Sequence, residues 1–200
     1  MSQQVTTPIF RISYPNLFQA RKNDLNGKME FGCVAVFDKA ADLTGMRTAA
    51  TAACEEKWGA DKAKWPAKVK ERFKSVFRKN EDKWKEDSNG NKVEADGYPA
   101  GGVFVNLKTE KQPGVVDAQV KPILEPRDLY AGCYCLAACN VGVYDQGGNP
   151  GFSFYLNHIQ KVRDGEPLGG ATRPEDSFKP FKSEAKAGAS SGGDDLWGNE

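Results

Sequence analysis

The chain has 200 residues, with 28 Lys and Arg against 27 Asp and Glu, one His, five Cys and 39% hydrophobic residues. That length buries enough apolar surface for a single domain to stand without a disulfide or metal staple, and no apolar run approaches the ~20 residues that span a bilayer. The formal net charge of +1 excludes binding of nucleic acid by bulk positive charge, although it leaves open how charge is arranged along the chain.

In chain order, residues 8–14 read as a first strand stopped by Pro15, and residues 28–37 as a second. Asp42 or Thr44 can cap an Ala-rich helix that ends near Trp58 and Gly59, and Pro66 suits the first turn of another. In that second helix Val69, Phe73, Val76 and Phe77 fall at i, i+4, i+7 and i+8, a buried arc of about 100°. Ser88-Asn89-Gly90-Asn91 is predicted as a type I′ turn and Gln146-Gly147-Gly148-Asn149 as a tight connection, so the chain returns to β. From Cys133 to Tyr144 one parity (Cys133, Cys135, Ala137, Cys139, Val141, Val143) is small and apolar, as a barrel interior requires, while the other carries Tyr134, Asn140 and Tyr144. Residues 152–157 alternate too, and in residues 103–108 Phe104 and Lys108 share one side. Two strands, a helical insertion over about residues 40–86 and a hairpin-connected set predict a mainly β fold, an oligonucleotide/oligosaccharide-binding (OB) barrel. An open α+β sheet is the alternative.

Charge segregates. Between Lys57 and Lys85 there are eleven basic residues against four acidic ones. Residues 184–200 are small and polar and end in Asp194, Asp195, Leu196, Trp197 and Glu200, a composition predicting a flexible linker and a disordered acidic tail behind a domain of residues 1–183. A lone Trp there either docks on a partner or folds back on the body.

An odd cysteine count (Cys33, Cys54, Cys133, Cys135, Cys139) and a start, Met1 to Thr7, without signal-peptide features predict reduced thiols and a cytoplasmic address. No G-x-S-x-G or H-E-x-x-H motif is present and His158 is the single histidine, so no hydrolase triad motif is found, multi-histidine metal sites are excluded, and Cys133-x-Cys135 lacks zinc-ligand spacing. Glu125, Asp128, Asp145, Asp164 and Glu166 could serve a metal-dependent nuclease, but no motif joins them. No metal, cofactor or catalytic residue is therefore expected. A binding constellation remains. Arg11, Lys108, Lys111, Lys68, Arg72, Lys74 and Arg78 are candidates for phosphates, and Tyr134, Tyr144, Tyr155 and Phe104 for stacking on bases, with barrel packing the competing role of each aromatic.

Residues 156–170, Leu156-Asn157-His158-Ile159-Gln160-Lys161-Val162-Arg163-Asp164-Gly165-Glu166-Pro167-Leu168-Gly169-Gly170, resemble the closing motif of a family of bacteriophage single-stranded-DNA-binding proteins long catalogued as a domain of unknown function. Residues 10–18 resemble its opening strand, and residues 130–134 with 143–151 its central hairpin. The resemblance implies an OB barrel similar to the replication single-strand-binding proteins of podoviruses. Such a protein coats single strands cooperatively and without sequence preference in replication, recombination and repair, inside the infected bacterium. It also implies a tail that recruits replication proteins such as a polymerase or helicase/primase and competes with DNA for the basic groove. Duplex binding or strand annealing through the basic insertion stays open, as does self-association on DNA. A nuclease or other replication accessory enzyme is the alternative from another class, and a virion assembly protein a third.

Overall fold

Ten strands and two α-helices follow one another in the computed structural model, which describes residues 3–24, 27–73, 75–146 and 149–169, with only the backbone at Arg72 and Gln146. They are β1 (Gln3–Thr6), β2 (Phe10–Lys22), β3 (Met29–Phe37), α1 (Thr44–Trp58), α2 (Ala67–Arg72), β4 (Arg78–Lys79), β5 (Lys85–Glu86), β6 (Lys92–Val93), β7 (Val103–Thr109), β8 (Gly114–Val116), β9 (Tyr134–Gln146) and β10 (Asn149–Arg163). The fold is mainly β, as expected. Lys74, Gly147, Gly148 and residues 170–200, which include the predicted linker and acidic tail, lie outside the described residues. No helix among the described residues is long and apolar enough to cross a membrane.

β2 pairs antiparallel with β3, β3 with β7, and β9 with both β10 and β2, while β7 and β10 run parallel. β1 lies antiparallel on the far side of β9, and β8 runs parallel to β10. The parity read from residues 133–143 places Cys133, Cys135, Ala137, Cys139 and Val141 in the core, facing Phe10, Ile12, Val105 and Leu107 from the other strands. Burial, the largest cause in each case, pushes the Cys133 thiol up to about 11 and Cys139 to about 12, with Cys135 raised further. α1 closes one side of this core through Met46, Ala50, Ala53 and Cys54, a stripe at helical spacing. Its first turn is held by the Asp42 carboxylate, which accepts from the Thr44 N–H at 2.9 Å.

Three local expectations are corrected. Pro15 does not stop the first strand, because β2 passes through it on a bulge: Ser13 pairs with Val34 and Asn16 with Gly32, so two residues of β2 oppose one of β3 there. The second helix is only Ala67–Arg72, and Phe73 is already extended. The ring of Phe73 stacks on Phe152 and that of Phe77 packs edge-on to Phe154, both with centroids 5.7 Å apart. Aromatic contacts across the fold override a helical pattern there. The turn predicted at Ser88–Asn91 has only one left-handed central residue, Gly90. Gly90 N–H bonds the Asp87 carbonyl, only Gly90 has positive φ (+80°), and the Asp87 carboxylate accepts from the Asn89 and Asn91 N–H groups. A type I′ turn would need positive φ at both central residues.

Residues 78–102 hold no α-helix: the insertion, expected to be helical to about residue 86, has only a single 3-10 turn at Asn80–Lys83 here. They fold back over the outer face of β3 and β7, held by Asn80 Nδ2 donating to the carbonyls of Phe37 and Pro99 and by Trp84 Nε1 donating to the Tyr98 carbonyl. Tyr98 thereby covers Val34, Val36 and Phe104 in a second small core.

Candidate nucleic-acid interface

The β2 bulge has a consequence at the surface. Tyr14 takes φ +48°, a left-handed conformation that a bulky residue adopts only under constraint, and its side chain is 61% exposed. Pro15 supplies no N–H that pairing with β3 could use, so chain chemistry and register together push Tyr14 outward.

Three cavities with shared lining residues lie along this face, two of them lined by Tyr14. One of about 670 Å³ holds Tyr14, Asn16 and Arg21 with Lys83, Lys85 and Tyr98. A second of about 260 Å³ shares Tyr14, Asn16 and Arg21 and continues over β3 and β7 past Asn106 and Lys108 to Lys22. A third of about 570 Å³ shares Asp96 and Tyr98 with the first and reaches Arg11, Tyr134 and Arg163. The result is a groove across the outer sheet face with an exposed aromatic near its middle and Arg21, Lys22, Lys83 and Lys85, all exposed, along it. Glu30, Glu94 and Asp96 temper that charge, and Glu30 is engaged by Lys108 at 3.6 Å and by Asn23 Nδ2 at 2.7 Å. Cations spaced beside an exposed ring are what a sugar-phosphate chain with stackable bases requires.

The predicted stacking residues divide. Phe104 is corrected: its side chain is 0% exposed, because Tyr98 packs against it (5.9 Å) and Arg78 and Lys83 lie over its ring at 5.1 and 5.3 Å. Tyr155 is 46% exposed, its ring resting against Gly142, with Lys108 its register partner on β7. Tyr144 is half-buried against Gly151, and half-buried Tyr134 has Arg163 laid over its ring.

Among the predicted phosphate residues, Lys108 lines the groove. Arg11 spends its guanidinium on the Glu166 carbonyl (2.6 Å), and Arg78 is held between Phe104 and Asp82 (3.6 Å). Lys68 and Lys111 are exposed but line none of these three cavities. Arg72 ends α2, and Lys74 and the tail residues lie outside the described residues. Sequence reasoning missed Tyr14, Asn16, Arg21 and Lys22, and it takes Lys83 and Lys85 only as members of the basic run. A proline inside an alternating run was the signal for Tyr14, since proline within a strand marks a bulge.

The segment after β10 is structural. The Tyr130 hydroxyl sits 2.8 Å from Asp164 Oδ1 and 2.9 Å from the Gly165 carbonyl, and Lys161 bonds Asp164 at 2.9 Å. Gly132 (φ +116°) and Gly165 pack backbone to backbone, where a Cβ on Gly132 would meet the Glu166 carbonyl at 2.1 Å. Among the described residues no three His, Cys, Asp or Glu side chains form a group able to hold a metal ion.

The chain matches the family model of the Enterobacter phage Enc34 ssDNA-binding protein over residues 3–189. No curated protein sequence matches it. Among solved structures it is similar to the single-stranded DNA-binding protein from bacteriophage Enc34 in complex with ssDNA. That match has TM-score 0.61 and 13% identity, and covers 84% of this chain and 90% of that one. The same phage protein in another structure gives TM-score 0.58 at 13% identity, over 88% and 90%. The gp2.5 single-stranded DNA binding protein of bacteriophage T7 gives TM-score 0.51 at 11% identity, over 94% and 100%.

Proposed function

Because the chain belongs to the family of the Enterobacter phage Enc34 ssDNA-binding protein, we propose that it binds single-stranded DNA in phage replication, along the groove that passes Tyr14. The pairing circuit β2–β3–β7–β10–β9–β2 supports reading the body as an OB barrel, in which the face of the second and third strands holds oligonucleotides. Those strands are β3 and β7 here, and the groove crosses them. Bases stack on Tyr14 and Tyr155 while Arg21, Lys83, Lys85 and Lys108 follow the phosphates. No base-edge reader is required, so binding is independent of sequence.

The observation that carries this reading is the conjunction of family membership with an exposed, strained tyrosine set among lysines and arginine in one groove. The protein acts by binding, not by catalysis, in the cytoplasm of the infected host, coating strands exposed in replication, recombination and repair. Residues 194–200 recruit a replication protein, and neighbouring copies associate along the strand. Fluorescence anisotropy of labelled oligo-dT and of a matched duplex, in EDTA across a salt series, tests the reading. Tight oligo-dT binding without divalent metal and with the strand left intact is expected. Equal or stronger duplex binding would move the interface to the basic insertion, and strand cleavage on adding magnesium would replace binding with nuclease action.

A further inference from the structure

A fourth cavity, of about 380 Å³, lies beside α1 and shares no residue with the groove. Trp65, Phe73, Phe77 and Phe152 wall it, and Arg47 and Lys62 stand with it. The Arg47 guanidinium lies 4.8 Å from the centre of the Phe77 ring. Trp65 Nε1 is already given to the Gly59 carbonyl (2.7 Å), so Trp65 offers a ring face and not a donor. No carboxylate lines this cavity, whereas Glu30, Glu94 and Asp96 line the groove. Asp61, next to Lys62, turns its carboxylate to the Ala63 N–H (2.9 Å) and to Lys64 (3.5 Å).

Aromatic walls with cations and no anion select an aromatic ring carried in an acidic segment. The chain contains such a segment, Asp194-Asp195-Leu196-Trp197, with Glu200 just beyond. The residues between Gly169 and Asp194 can reach on the order of 80 Å, more than the ~40 Å across a domain of this size. We propose that Trp197 seats its indole in this cavity, with Asp194 and Asp195 set against Arg47 and Lys62. The tail's resting place is then the α1 cavity and not the groove, so docking needs no nucleic acid and does not rest on the DNA-binding reading. A tethered ligand is present at millimolar effective concentration, so a weak contact suffices to hold it.

The test uses the full chain without DNA, with the photocrosslinker p-benzoylphenylalanine replacing Trp197 and crosslinked peptides mapped by mass spectrometry. Crosslinks are expected within residues 47–54, 62–77 or at Phe152. Arg47→Glu should reduce them at least fivefold, as should Thr51→Trp, which fills the opening, while Arg21→Glu in the groove leaves them unchanged. Asp194→Lys with Asp195→Lys should give the same loss with an unaltered melting curve. Crosslinks concentrated on residues 13–22 or 83–98, or no reproducible crosslink to the body, would overturn the proposal.

Discussion

The guanidinium of Arg163 lies 3.5 Å over the ring of Tyr134, its register partner across β9 and β10. The pair turns a candidate stacking tyrosine into a platform for an arginine, with Gly165 packed against the same ring. Tyr134→Ala should therefore act chiefly on stability. A cation–π contact contributes about 0.5–2 kcal/mol, and each kcal/mol shifts the melting point of a domain this long by about 2–4 °C. Thermal denaturation should show a loss of a few degrees, with oligo-dT affinity within about threefold of the parent. A hundredfold affinity loss at unchanged melting temperature would make Tyr134 a base contact instead.

Tyr14 should separate stability from binding in the opposite sense. Its φ of +48° costs a bulky residue of order 1–3 kcal/mol, a strain that glycine does not feel. Tyr14→Gly is expected to melt at the same temperature as the parent or higher. Its oligo-dT affinity should fall by about 5- to 150-fold, the loss of one base stack at about 1–3 kcal/mol.

Phosphate contacts are read from salt. Arg21→Ala and Lys83→Ala should each lower the slope of log affinity against log salt by about 0.7 if each neutralises one phosphate. Lys68→Ala, on α2 outside the groove, should leave the slope unchanged. A drop for Lys68→Ala alone would place the strand on α2.

The core thiols give a pH dependence of known sign. Burial raises Cys133 to about 11 and Cys139 to about 12, from an ordinary 9.0. Below the unfolded value both states keep their protons and the contribution is complete. As pH rises from 9 towards 12 the unfolded chain releases protons that the folded chain holds, so stability falls. The melting temperature should decline across that window, and Cys133→Ala with Cys139→Ala should flatten the decline. At neutral pH the five buried thiols should resist Ellman's reagent until the chain unfolds.

Legibility in the sequence followed the range of the interactions. The interior parity of residues 133–143 was readable because strand alternation is local, and α1 because its Asp42 and Gly59 boundaries are local signals. Phe104 does share a sheet face with Lys108, yet what buries it is Tyr98, delivered by an insertion whose return path no period encodes. Phe73 and Phe77 fit a helix in spacing, but their partners Phe152 and Phe154 are far away in sequence. Tyr14 was invisible as a site because its exposure comes from a register slip opposite Cys33, and register belongs to a pair of strands and not to either alone. Lys83 and Lys85 were counted in the basic run, but only the fold separates those facing the groove from those on α1 and α2.

The most direct measurement is photocrosslinking of the full chain to oligo-dT carrying single 5-iododeoxyuridines, with the adducts mapped by mass spectrometry. The account predicts adducts on Tyr14, with Tyr155 next, and their loss in Tyr14→Gly. Adducts confined to residues 44–72, with residues 10–22 unmodified, would contradict it.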